Sequence, residues 1–208
     1  MRLALGVLGC MALLLVYENQ HPAEAQAGTA DVMPLLSRAS LGSAELVATR
    51  GQVAEASEQL ERWHQIYRYS SRYGIGSQLA RAIHDIALEE GLEPELAFRL
   101  VRLESEFKTR ATSRVGAVGL TQLMPSTARY FAKGISREQL YDRDTNLRIG
   151  FRYLRTLIRE YDGDVQLALL VYNRGPVAVD AARADGRDPS NGYDRRILKG
   201  YTGRGVVD

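Results

Sequence analysis

Glu104 is a carboxylate on the apolar face of its own helix. The segment 93–107 opens with Pro94, a residue favoured at the first helical position, and carries Leu96, Ala97, Leu100 and Val101 at helical spacing. At roughly 100° per residue, Glu104 falls nearly in line with Ala97 and between Leu100 and Val101. Glu106 falls about 200° away, on the face of Arg99 and Arg102, where it is solvated and paired. A carboxyl held against apolar surroundings has its charged form disfavoured, which raises its pKa toward that of a general acid working near neutrality. The bland alternative is a carboxyl that snorkels to the edge of the stripe or accepts hydrogen bonds from a neighbouring loop.

Three further segments carry groups that suit a cleft. Ser113 precedes the run Gly116-Ala-Val-Gly119-Leu-Thr-Gln122-Leu-Met124-Pro125, Tyr172-Asn173-Arg-Gly-Pro176 ends an apolar helical stripe, and Tyr193 lies beyond. Gly116 and Gly119 would let a loop pass close to a ligand, although a tight turn alone also needs glycine. Gln122 offers a donor and acceptors for a sugar amide or hydroxyl, and Met124 offers a flexible apolar surface. Met124 could equally be core, Tyr172 could pack its ring on a neighbouring helix, and Asn173 could cap a helix end.

In order and spacing these segments resemble the soluble lytic transglycosylase family over about residues 79–200. The resemblance implies an all-α, lysozyme-like transglycosylase domain that acts on peptidoglycan glycan strands. It implies that Glu104 protonates the glycosidic oxygen and then acts as base. It implies that Ser113 contacts the glutamate or the substrate. Gln122 and Met124 match groove residues, Tyr172 a tyrosine near the reacting sugar, and Tyr193 one at the C-terminal end of the cleft; Gly119 and Asn173 complete the expected substrate-binding set. The chain departs from the family pattern twice. Glu106 stands where a small residue is usual, with no catalytic consequence expected. Pro189 stands where a glutamate is frequent, with Asp188 adjacent as a substitute.

The reaction implied is non-hydrolytic cleavage between N-acetylmuramic acid and N-acetylglucosamine, leaving 1,6-anhydro ends. Glycosidases usually employ two carboxylates. Asp142, Asp144, Asp162 and Asp164 lie at helix starts or in turns, where capping is their expected work. The rival readings are a hydrolase resembling goose-type lysozyme and a scaffold that holds glycan strands without cleaving them.

The elements that must position these residues are helices. The spacing predicts helices over 44–73, 78–90, 93–107, 125–131, 144–161, 164–172, 176–185 and 191–198, a structured loop over 108–123, and no strand. The chain is expected to divide into a signal peptide at 1–27, a linker at 28–43, a helical extension at 44–78, the catalytic domain at 79–200 and a tail at 201–208. Arg2 and the apolar run 3–16 form the targeting segment, which is too short to span a bilayer as a helix. Ala25-Gln26-Ala27 or Ala23-Glu24-Ala25 would be cleaved; uncleaved, residues 3–16 would anchor the chain to the membrane. The protein is expected to be exported to the periplasm or cell envelope.

Composition excludes several classes. With 27 basic and 25 acidic residues, nothing marks a nucleic-acid surface. The single cysteine, Cys10, sits in the apolar run, which removes thiol and disulfide chemistry from the rest of the 208-residue chain. His21, His64 and His84 lack ligand spacing, so no metal and no cofactor are expected. His64 and His84 are read as surface or groove-edge residues.

Overall fold

The protein's structure, a computed structural model, describes the backbone of residues 22–207 and the side chains from residue 45. The targeting run 3–16 and Cys10 lie outside the described residues. Among the described residues the chain is helical, with isolated β-bridges in place of any strand, and no helix is long and apolar enough to cross a membrane.

Helix α1 runs Pro22–Tyr73. Residues 28–43, expected as a linker, are helical and continuous with it. Small and polar residues weaken a helix without breaking it, and Leu35, Leu36, Arg38 and Ala39 favour one. The chain divides into two compact units, one ending at Arg62 and one from Trp63 onward. In the first, Leu46, Val47, Val53 and Leu60, read as a helical stripe, are all exposed.

The second unit holds the end of α1 and eight further helical elements. These are α2 (Ser77–Glu89), α3 (Pro94–Ser105), α4 (Pro125–Phe131), a 3-10 turn (Gln139–Tyr141), α5 (Arg143–Glu160), α6 (Val165–Arg174), α7 (Pro176–Ala184) and α8 (Tyr193–Leu198). Helix starts follow the expected chemistry. Pro94, Pro125 and Pro176 each open a helix, where the missing N–H costs nothing. Asp142 and Asp164 accept the backbone N–H of Thr145 and Leu167, both at 2.9 Å, and so cap α5 and α6.

The core gathers the apolar faces of α2, α3, α5 and α6 around Phe98, Phe151, Ile83, Leu100 and Leu154, all fully buried. Each such side chain contributes roughly 1.5–3 kcal/mol through burial. Tyr69, from the last turns of α1, stacks on Phe98 with ring centres 4.1 Å apart. A smaller cluster joins Val118 and Leu123 of the 108–123 loop to Ala128, Leu140 and Ile149. Glu90, the C-cap of α2, is buried and takes both forks of Arg152 at 2.8 and 2.9 Å, locking α2 to α5. His84 is buried rather than at the surface, with its ring nitrogens 3.1 Å from Asp85 and 3.4 Å from Gln65. It lies at the edge of the buried face of α2, in line with Ala80 and Ala87, and those polar neighbours make its burial tolerable.

Candidate active site

Helix α3 carries Glu104 to the edge of the core. Ala97, Leu100 and Val101 beneath it are completely buried, whereas Glu104, in the last turn, is only partly so. Burial pushes its carboxyl from 4.5 to about 7, partly offset by a hydrogen bond donated by the Tyr193 hydroxyl. The group is therefore divided between acid and carboxylate at neutral pH, and can both give and take a proton there.

Immediately after Glu104 the chain turns out of the helix. Glu106 (φ 51°) and Phe107 (φ 64°) are both left-handed, a conformation that costs a non-glycine residue about 1–2 kcal/mol. This explains why a small residue suits position 106. Glu106 is exposed and ion-pairs with Lys108 at 2.7 Å, so its partner is not Arg99 or Arg102. Arg99 turns instead to Glu95 at 2.6 Å and to the carbonyls of Ile197 and Lys199, both at 2.8 Å.

Two tyrosines face the carboxylate. Tyr193, the first residue of α8, is buried, and burial together with the charge of Glu104 pushes its hydroxyl well above the ordinary value. Tyr172 in α6 is raised in the same way by burial and by Glu104. Its ring packs 5.0 Å from that of Tyr153, and its hydroxyl donates to the Thr121 carbonyl at 2.8 Å. The Tyr172 ring thus packs on a neighbouring helix while its hydroxyl is tied to the 108–123 loop.

The Thr121 carbonyl belongs to the 108–123 loop, and a buried carboxamide holds that loop in place. Asn146 of α5 accepts the Thr121 N–H at 2.9 Å and the Thr121 hydroxyl at 2.8 Å. Its amide donates to the carbonyls of Val118 (2.9 Å) and Leu140 (3.0 Å). A side chain at Gly119 (φ 79°) would lie on the Asn146 carboxamide and 2.9 Å from the Leu140 carbonyl, so this glycine serves the interior rather than ligand access. Gly150 gives the same clearance to Thr121. Gly116 (φ 94°) is in open space and serves its turn.

The other expected site residues are distributed as follows. Gln122 is left-handed (φ 48°), and its amide donates to the Gly119 carbonyl at 2.9 Å, leaving its oxygen as an acceptor. Met124 is 39% exposed at the start of α4. Ser113 accepts the Ala117 N–H at 3.0 Å within its own turn and makes no hydrogen bond to Glu104. Asn173 accepts from Asn191 at 2.9 Å, and Asn191 in turn accepts the Tyr193 N–H at 3.1 Å. Asn173 therefore ties the end of α6 to the residue that touches Glu104 instead of capping its helix. Asp188 accepts the Ser190 N–H at 2.8 Å within its own turn, and the Pro189 carbonyl takes Arg174.

Four residues that sequence reasoning did not single out shape the site: Thr121, Asn146, Asn191 and Asp194. Asp194 is completely buried beside Tyr193. Burial raises its pKa, but hydrogen bonds from Ser190 (2.6 Å) and Gln166 (2.8 Å) outweigh this and hold it below the usual range. It anchors α8 to α6 as a carboxylate, with no proton to give near neutrality. Asn146 was legible by the criterion that found Glu104, a polar residue on an apolar helical stripe, here with Gly150 and Leu154. Among the described residues no cluster of His, Cys, Asp and Glu could hold a metal ion.

Residues 81–192, just over half of the chain, match the family described as Transglycosylase SLT domain. The chain is 43% identical over 84 residues to a transglycosylase of Enterobacteria phage PRD1, a match covering 40% of this chain and 30% of that protein. It is 35% identical over 86 residues to the soluble lytic murein transglycosylase of Escherichia coli K12, covering 38% of this chain and 13% of that one. The match thus spans less than a third of the length of these relatives. The structure of the 70 kDa soluble lytic transglycosylase from Escherichia coli is similar in fold, with a TM-score of 0.51 at 24% identity. That likeness covers 62% of this chain and 24% of that one.

Proposed function

From the membership of this chain in the transglycosylase SLT domain family, we propose that it is a peptidoglycan lytic transglycosylase with Glu104 as its single acid and base. The observation that carries this reading is the Glu104 carboxyl, partly buried, raised to about 7 and held by the Tyr193 hydroxyl.

In the first step Glu104 gives its proton to the oxygen of the β-1,4 bond between N-acetylmuramic acid and N-acetylglucosamine. The bond from C1 to that oxygen breaks, and the acetamido oxygen of the muramyl sugar bonds to C1. In the second step the Glu104 carboxylate takes the proton of the C6 hydroxyl. That oxygen bonds to C1 as the acetamido oxygen leaves, closing a 1,6-anhydro ring. The proton returns to Glu104, so the cycle closes without cofactor or water. Tyr172 and Tyr193 fix the carboxyl and the reacting sugar, while the free oxygen of Gln122 and the exposed Met124 offer one acceptor and one apolar surface to the glycan. Ser113, Gly119 and Asn173 contribute through the loop and turn geometry that places those groups. The site of action is the envelope, to which the chain is exported.

Mass spectrometry of digested cell wall tests the reaction. Muramyl ends lighter by one water than hydrolysed ends are expected. Ordinary reducing ends would make the protein a hydrolase, and an intact wall would make it a scaffold.

A further inference from the structure

Five cations, Arg72, Arg99, Arg102, Arg196 and Lys199, line one groove of about 540 Å³ beside the last turn of α3. In a chain of net charge +2 such a surplus is local. Arg72 and Arg99 are walls, both bound to Glu95, at 3.0 and 2.6 Å. Arg102, Arg196 and Lys199 are exposed, and none of the three pairs with a carboxylate among the described residues. The acid that lines the groove, Glu106, is taken by Lys108. Apolar surface is present as well, from Leu103 and from the Tyr73 ring, over which the Arg102 guanidinium lies at 5.8 Å.

We propose that this groove binds the carboxylate-bearing peptide arm of the peptidoglycan strand whose glycan is cut at Glu104. The proposal rests on the transglycosylase reading of the Glu104 site. Three uncompensated cations around an apolar floor suit an extended ligand with several carboxylates and aliphatic carbons between them. The place is also suitable. The groove is lined by α3 and α8, the helices that carry Glu104 and Tyr193. Arg102 and Glu106 are each two residues from Glu104, on the far side of a helix about 10–12 Å across. Four extended residues span up to roughly 14 Å, enough to pass the end of α3 from one side to the other.

The test uses the full chain and the triple variant Arg102→Gln/Arg196→Gln/Lys199→Gln, which changes exposed side chains outside the catalytic cleft. Calorimetric titration with a soluble stem tetrapeptide bearing free carboxylates is expected to show binding by the parent, weakened about tenfold or more in the variant. The same peptide with its carboxylates amidated is expected not to bind. On murein with intact peptides the variant is expected to lose about tenfold in kcat/KM, while on glycan stripped of peptides it matches the parent. Removing two or three exposed ionic interactions at once accounts for a change of that size. Equal losses on both substrates, or none on either, would overturn the proposal. So would a silent peptide titration together with variant-sensitive pelleting on anionic phospholipid vesicles, which would assign the groove to a membrane surface. Variant-sensitive peptide binding in a chain that cuts no murein would support the groove while refuting the proposed reaction.

Discussion

At the scale of single residues, the proposed reaction depends on where one proton resides. Glu104 titrates at about 7 because burial disfavours its charge, so kcat/KM should fall as pH rises past about 7, where the acid form is lost. The Tyr193 hydroxyl stabilises the carboxylate and pulls that value down. Tyr193→Phe should therefore move the alkaline limb of the pH profile upward; a limb that stays or falls would remove Tyr193 from this role. Replacing the acid in Glu104→Gln should lower kcat on murein by on the order of 10²–10⁴-fold. The same substitution has a stability consequence of known sign. A carboxyl raised from 4.5 to about 7 by folding favours the native state below 4.5 and loses that contribution as pH rises through 7. At about 1.36 kcal/mol per unit the loss is at most about 3–4 kcal/mol. Glu104→Gln should accordingly gain stability over the parent between pH 5 and pH 8, measured as a widening difference in Tm. Equal Tm differences at both values would contradict the burial argument. Glu106 offers a separate test, because its left-handed backbone (φ 51°) favours glycine. Glu106→Gly should raise the Tm by about 2–4 °C.

At the scale of elements, the site is a loop and two helix ends held by a few buried polar contacts. Asn146 fixes the 108–123 loop through Thr121, Val118 and Leu140, and the Thr121 carbonyl then fixes Tyr172. Asn146→Asp keeps the shape, removes two donors and buries a charge. This should cost about 3 kcal/mol or more and lower the Tm by roughly 10 °C. A Tm within about 2 °C of the parent would show that the loop is held by other means. Helices α6 and α8 are joined in the same manner, through Asn173–Asn191–Tyr193 and through Asp194 with Gln166. From Ser77 onward the helices were legible from apolar spacing and from Pro and Asp at their starts, to within two residues, whereas α1 begins at Pro22 and not at the expected residue 44. The 3-10 turn at Gln139–Tyr141 was not legible, since three residues carry no period.

At the scale of the whole chain, the residues from Trp63 onward form a compact unit that holds, among the described residues, the buried core and the candidate site. A fragment of residues 63–208 should therefore melt cooperatively, with a Tm within about 3 °C of the full chain by calorimetry. A fragment that fails to fold would show that the unit depends on residues before Trp63. The exposed stripe of Leu46, Val47, Val53 and Leu60 shows a limit of periodicity. Helical spacing reports which residues share a face, but not whether anything covers that face.

The sequence by itself determined the α-helices from Ser77 onward, the exceptional position of Glu104 and the order of the motifs around it, because these follow from local period and residue type. It also marked Tyr172, Asn173, Gln122 and Tyr193 as candidates, without saying what each would touch. Tertiary structure alone decided that Tyr193 reaches Glu104 across 89 positions of sequence and that Tyr172 reaches Thr121 across 51. It also turned Gly119 toward Asn146, Ser113 into its own turn and Asp194 into a buried anchor. Burial and the partner of each polar group depend on elements far apart in the chain. A carboxylate becomes an acid or an anchor according to those neighbours: Glu104 has one tyrosine hydroxyl and is raised, whereas Asp194 has Ser190 and Gln166 and is lowered.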